Sequence, residues 1–185
     1  MEELACRQLA AVAEVLEVAH RLGAAVWLRG GWAMDFFLGE LTREHVDVDW
    51  FAWREDLPGL VDALVECGWS DVGEHSAEQQ RDLVRGAVEL GFAPLARARD
   101  GTVVVGGGPW AGTGWPAGMI ECAVLGQLGD LRCPVISPAA QVEIKRMMPI
   151  WVPGRPRREK DSADIARLVQ AVSAAEATRP SPPSR

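Results

Sequence analysis

The sequence predicts an α+β fold, with a mixed, twisted sheet, helices on one side of it and further helices at the C-terminal end. Three observations carry that reading. The N-terminal part alternates helical and extended patterns. A long middle stretch, from about Trp69 to Pro134, carries mostly strand and turn signals. Two helical patterns then close the chain.

The elements follow in order. From about Leu4 to Leu22, Val12, Val15, Leu16, Ala19 and Leu22 recur at helical spacing, and Gly23 supplies a stop. Ala24-Ala25-Val26-Trp27-Leu28 is a short apolar strand, broken by Gly30-Gly31. Trp32 to Leu38 reads as a short helix closed by Gly39. From about Val46 to Trp53, Asp47, Asp49 and Phe51 alternate with Val48 and Trp50, the period of a strand. Asp56 is placed to cap the next helix, with Pro58 in its first turn, and Gly68 ends it.

Leu83 to Leu95 reads as two strands around Arg85-Gly86. Arg99-Asp100-Gly101 turns into Thr102-Val103-Val104-Val105. Gly106 to Gly118 is rich in Gly, Pro and Trp and reads as a long loop, functional or disordered. Gly129-Asp130 marks another turn. Ser137 followed by Pro138 opens a helix that runs to about Met148. Pro149 to Pro156 is irregular, and a last helix spans about Glu159 to Ala175 on the stripe Ile165, Leu168, Val169 and Val172. The expected organisation is a main domain over residues 1–135, a helical part over 136–177 packed on it, and a Pro/Ser-rich disordered tail over 178–185.

Composition narrows the function classes. Hydrophobic residues make up 48% and charged residues 24%, the balance of a globular protein with a true core. The net charge of -7 argues against a general nucleic-acid binder, which needs a basic face, and suits a cationic small substrate. Cys6, Cys67, Cys122 and Cys133 share no C-x-x-C spacing and none pairs closely with a histidine, which argues against zinc. The acidic start and the lack of an apolar run near ~18 residues point to a cytoplasmic protein with reduced thiols and no membrane partner.

The chemistry concentrates between Gly30 and Asp49. Two residues apart on a strand, Asp47 and Asp49 project from one face, about 7 Å apart along the chain. Paired carboxylates repel unless a cation lies between them, and a hard divalent ion such as Mg²⁺ takes oxygen ligands of this kind. Gly30-Gly31 lies at a strand-to-helix junction, where backbone without side chains approaches a phosphate closely and the first helical N–H groups point at it. A glycine pair at such a junction, followed closely by Asp-x-Asp, joins a phosphate element to a metal element.

Gly30-Gly31-Trp32 with Thr42-Arg43-x-His45-x-Asp47-x-Asp49 resembles the small antibiotic nucleotidyltransferases that modify aminoglycosides and lincosamides, within the polymerase-beta-like nucleotidyltransferase superfamily. The specific match covers about residues 24–53, with a looser match in element order to about Leu168. The resemblance implies a nucleotidyltransferase-type sheet and Mg²⁺-dependent transfer of a nucleoside monophosphate, AMP from ATP by preference, to a hydroxyl of a small molecule. It implies catalytic metals on Asp47 and Asp49, phosphates cradled at Gly30 and Gly31, and Arg43 near the triphosphate. A third carboxylate on a later strand completes such sites and serves as base. Glu89, in an apolar strand, is the first candidate, with Asp82 and Glu121 as alternatives. Glutamate departs from the usual aspartate, and Arg29 stands where many relatives carry an acid.

The cluster Lys145, Arg146, Arg155, Arg157, Arg158 and Lys160 needs a reason in an acidic chain, and positive charge at a helix start suits a bound anion. Lys145 and Lys160 are the first choices for nucleotide contact, Lys160-Asp161 resembling a pair common in the group. His45 is read as a buttress of the strand or its turn in preference to a substrate contact. Trp32, Trp50 and Trp53 are read as core. Trp110 and Trp115 are open between a lid over the acceptor and residues that tuck the loop down. Two rival readings remain: an enzyme of the toxin–antitoxin type acting on protein or RNA, and a non-catalytic nucleotide-binding module. A homodimer is an arrangement known among relatives of this kind.

Overall fold

A 21-residue helix, α1 (Glu2–Leu22), opens the chain and lays Val12, Val15 and Ala19 against the sheet. A computed structural model of the chain describes residues 2–73, 78–152, 154 and 156–177. His75, Arg155 and the expected tail at 178–185 lie outside the described residues.

Next come β1 (Val26–Arg29), α2 (Gly30–Leu38), β2 (Val48–Trp53) and α3 (Leu57–Glu66). Strands β3 (Ser70–Asp71), β4 (Arg81–Arg85), β5 (Val88–Arg97), β6 (Val103–Val105), β7 (Val124–Leu128) and β8 (Leu131–Val135) follow, and α4 (Pro138–Trp151) and α5 (Glu159–Ala177) end the described chain. The strands form one mixed sheet in the order β3-β4-β5-β2-β1-β8-β7, with β6 paired to β5. Strand β2 runs parallel to β5 and antiparallel to β1, and β1 runs parallel to β8. The α+β reading from the sequence therefore holds, mixed sheet included.

Side-chain alternation divides the central strands between two environments. Leu28, Val48, Trp50, Leu90 and Phe92 turn to one face and form the main core with α1 and α3. The indole of Trp50 stacks with the Phe92 ring, centroids 6.3 Å apart. Burial of such rings contributes ~25 cal/mol per Å² of apolar surface removed from water. The opposite face carries Asp49 and Phe51, which frees it for chemistry next to a smaller core of Phe51, Leu95, Val103, Met119, Ile136 and Ala140. A third cluster, Met34, Val142 and Leu168, pins α2, α4 and α5 together.

Four local expectations need correction. Strand β2 starts at Val48, and Val46 is 73% exposed, so Asp47 lies just before the strand. Asp56 stands at the N-cap of α3 in αR geometry and makes no side-chain cap bond, because its backbone already follows the helix. The segment 106–118 is tied down. The N–H of Trp115 donates to the Val103 carbonyl and that of Gly112 to the Val105 carbonyl, with a short 3₁₀ turn at Gly108–Trp110. Pro149 lies within the last turn of α4, whose start is capped as expected by the Ser137 hydroxyl accepting from the Ala140 N–H at 3.2 Å.

Candidate active site

The sheet register builds the site. Arg29 on β1 faces Asp49 on β2, Asp49 faces Gly91 on β5, and Gly91 faces Asp82 on β4, so these residues form one transverse row on one sheet face. Glu89 lies two residues before Gly91 and shares that face. Gly91 keeps the row open. A Cβ there would sit 3.3 Å from Gln80 Nε2, 3.4 Å from Asp49 Oδ1 and 3.5 Å from Asp82 Oδ1, which sets this glycine between the two carboxylates. Buried Asp82 accepts from Gln80 Nε2 at 2.6 Å.

The start of α2 and the loop before β2 form the adjoining wall. Asp35, fully buried in α2, is its keystone. Its carboxylate accepts from the Thr42 N–H (3.2 Å), the Thr42 hydroxyl (2.6 Å) and His45 Nε2 (2.6 Å). The other His45 nitrogen, Nδ1, lies 2.9 Å from Arg43 Nη1. Arginine only donates, so Nδ1 accepts and Nε2–H donates to Asp35. Both ring nitrogens are thus engaged, and His45 is the buttress that the sequence reading favoured. Gln8 Nε2, from α1, donates to the His45 carbonyl at 3.0 Å and anchors the same loop.

The two glycines serve this packing. A Cβ at Gly31 would overlap the His45 imidazole and come within 2.9 Å of Arg43 Nη2. At Gly30, φ is +74° and a Cβ would lie 2.7 Å from Asp49 Oδ2. The absent side chains let the Asp49 carboxylate and the Arg43–His45 segment lie against the N-terminus of α2. That helix has no side-chain cap, and Gly30 and Gly31 at its start line the cavity.

The third wall is basic and comes from the C-terminal helices. Asp164 on α5 is buried and accepts from Lys145 Nζ (2.8 Å), Arg43 Nη2 (3.0 Å) and Arg43 Nε (3.4 Å). Burial alone would raise the Asp164 carboxyl, but the bonds from Arg43 and Lys145 outweigh it and hold the group below its ordinary value. Asp161 and Arg158 pair at 2.8 Å. Lys160 titrates below its ordinary value, first because burial disfavours its charge and then because Arg158 and Arg43 repel it. A bound anion would offset the repulsion among these cations.

Together these walls enclose an open cavity of about 650 Å³. Among the described residues its lining includes the cations Arg29, Arg43, Lys145, Arg158 and Lys160, against the acids Asp47, Asp49, Asp82, Glu89 and Asp161. The formal charges balance, so the -7 of the chain is not concentrated in the cavity.

Every residue the sequence reading chose lines this cavity: Gly30, Gly31, Arg43, Asp47, Asp49, Glu89, Lys145 and Lys160. Of the alternative third carboxylates, Asp82 lines it too. Glu121 does not; it is half exposed and pairs with Arg97 at 3.4 Å. Trp110 borders the cavity, whereas Trp115 tucks its loop down, 5.0 Å from the Phe51 ring and 6.5 Å from Trp151. The sequence reading gave no role to Asp35 or Asp164. Each left a signal, an acid set on an apolar helical stripe: Asp35 among Met34, Phe36 and Phe37, and Asp164 with Ile165 and Leu168.

Among the described residues, no three His, Cys, Asp or Glu side chains stand close enough to hold a metal ion by themselves. Two carboxylates beside a basic wall nevertheless suit Mg²⁺, which takes one or two protein carboxylates and completes its shell with water and substrate oxygens. Asp47 and Asp49 fit that donor set. No helix among the described residues is long and apolar enough to cross a membrane.

Comparison with known proteins agrees with this layout. The family model described as aminoglycoside-2''-adenylyltransferase matches residues 11–168. A 2''-aminoglycoside nucleotidyltransferase of Klebsiella pneumoniae is 34% identical over 59 residues, 32% of this chain and 33% of that one. The aligned segment thus spans about a third of the length of that relative. The fold is similar to that of ANT(2'')-Ia in complex with adenylyl-2''-tobramycin, with a TM-score of 0.72 at 22% identity, covering 92% of each chain. It is also similar to the lincomycin-bound lincosamide adenylyltransferase LnuA, with a TM-score of 0.66 at 22% identity, covering 85% of this chain and 94% of that one.

Proposed function

This chain belongs to the aminoglycoside-2''-adenylyltransferase family, and on that premise we propose that it transfers AMP from ATP to a hydroxyl of an aminoglycoside and releases pyrophosphate. The observation that carries the reading is the meeting, in one cavity, of an acid row on the sheet, an uncapped helix start and a basic wall.

In this reading Asp47 and Asp49 would hold Mg²⁺, which would supply charge neutralisation for the reacting triphosphate. The backbone at Gly30 and Gly31 donates to phosphate oxygens at the α2 start. Arg43, Lys145 and Lys160 bind the β- and γ-phosphates and stabilise the charge that grows on departing pyrophosphate. The carboxylate of Glu89 takes the proton from the acceptor hydroxyl as it attacks the α-phosphorus in line. Asp82, in the same face as Glu89, adds negative charge on the acceptor side, which favours a cationic acceptor such as an aminoglycoside over a neutral one.

The test is pyrophosphate release from each of the four nucleoside triphosphates with Mg²⁺, against a panel of aminoglycosides, lincosamides and buffer. Release that requires ATP and an aminoglycoside is expected. Release with lincosamides alone, or with no small acceptor at all, refutes the proposed acceptor.

A further inference from the structure

We propose that the Arg29 guanidinium is a resident cation on Asp49 that keeps free divalent metal out, so that metal enters the site only together with the triphosphate. The inference rests on the reading of Asp47 and Asp49 as the metal carboxylates.

Four observations lead to it. First, Arg29 and Asp49 are direct partners across the β1–β2 ladder, so sheet register fixes their meeting. Their ion pair is 2.8 Å long, from Nη2 to Oδ1, with side-chain exposures of only 19% and 24%. Second, the other Asp49 oxygen, Oδ2, packs against Gly30, 2.7 Å from where a Cβ would stand. One oxygen faces the guanidinium and the other the helix start. Third, Arg29 is held from two more sides. Its Nε donates to the Trp50 carbonyl at 3.4 Å, and its guanidinium lies 5.1 Å from the centre of the Phe51 ring. A cation fixed this way competes for Asp49 with little further loss of freedom. Fourth, no acid trio exists among the described residues to outbid it, and the cavity lining is balanced in formal charge.

The consequence is a thermodynamic coupling. In the free protein a divalent ion must displace Arg29 from Asp49 Oδ1 and gains only Asp47 in addition, which itself lies in the field of Arg158 and Lys160. A triphosphate brings several negative oxygens that both ligate the ion and engage the basic wall. Linkage makes the effect reciprocal: the factor by which nucleotide strengthens metal binding is the factor by which metal strengthens nucleotide binding.

The experiment is a Mn²⁺ titration followed by electron paramagnetic resonance, with and without a non-hydrolysable ATP analogue. The proteins are wild type, Arg29→Met, Arg29→Lys and Asp49→Asn. Methionine keeps an unbranched stem over Phe51 and removes the charge; lysine keeps the charge. Thermal midpoints verify folding, and Arg29→Gln replaces the methionine variant if that one is unfolded. Without nucleotide, Arg29→Met should bind Mn²⁺ at least tenfold more tightly than wild type, equivalent to about 1.4 kcal/mol. The coupling to nucleotide should fall by the same factor, and Arg29→Lys should stay near wild type. Unchanged or weaker Mn²⁺ binding in Arg29→Met, or a lysine variant that behaves like methionine, overturns the inference and leaves the metal reading standing. Failure of every folded protein to bind Mn²⁺ in either condition overturns both. Mn²⁺ bound equally well by Asp49→Asn does the same.

Discussion

Asp164→Asn is the sharpest test of how the basic wall is held. The carboxylate accepts from Lys145 at 2.8 Å and from two nitrogens of Arg43, and its side chain is only 3% exposed. Removing one partner of a buried pair costs ~3–5 kcal/mol, because the remaining charge stays behind uncompensated. The Arg43 side chain is 25% exposed and can turn to water, which places the cost at the low end, about 3 kcal/mol. In a protein of this size that lowers the thermal midpoint by roughly 6–12 °C. The pH dependence follows from the direction of the shift. The Asp164 carboxyl is held below its ordinary value of 3.8, so its contribution is complete above that value and is lost as pH falls through the lower folded-state value. Urea unfolding of both proteins from pH 7 downward should therefore give a constant gap at neutral pH that narrows once pH drops below about 4. A gap under about 0.5 kcal/mol at pH 7, within the scatter of ordinary surface changes, refutes the argument. A gap that keeps its full size at pH 3 refutes the assignment to a charged carboxylate.

Other expectations concern turnover and packing. Asp49→Asn should abolish pyrophosphate release while the far-UV circular dichroism stays native; full activity with Mg²⁺ would show that the metal assignment is wrong. Glu89→Gln should lower kcat by about 10²–10⁴, the usual worth of a general base, with Asp82→Asn affecting acceptor KM more than kcat. The reverse pattern would make Asp82 the base. Gly31→Ala should destabilise by about 1–3 kcal/mol in denaturant melts, since the new methyl group meets the His45 ring; a neutral result would mean that the 42–47 loop yields freely.

Much of this layout could be read in the sequence, for local reasons. The three- and four-residue recurrence of Val12, Val15 and Ala19 defines α1 because a helix has one buried face. Arg85-Gly86 separates β4 from β5, and Ser137-Pro138 opens α4, because turn and cap chemistry act over a few residues. Asp47 and Asp49 stood out for the same reason. What stayed hidden depends on distant partners. Glu121 and Asp82 were equivalent candidates until β-sheet register put Asp82 beside Gly91 and left Glu121 with Arg97. Asp56 had the right chemistry for a cap, but its αR backbone has already joined the helix. The tie-down of the 106–118 loop needs the Val103 and Val105 carbonyls, which no local pattern announces.

The bond between Arg43 and Asp164 spans 121 positions of chain. During synthesis the acid row and the α2 start leave the ribosome long before α5 does, so the basic wall closes only after the rest of the pocket has been made. Until then Arg43 keeps only its local partners, the Glu44 carbonyl and His45 Nδ1, and lacks the Asp164 carboxylate that joins it to Lys145. Under the proposed function, nucleotide binding therefore waits for α5 to dock, and ATP would stabilise only chains in which that contact has formed.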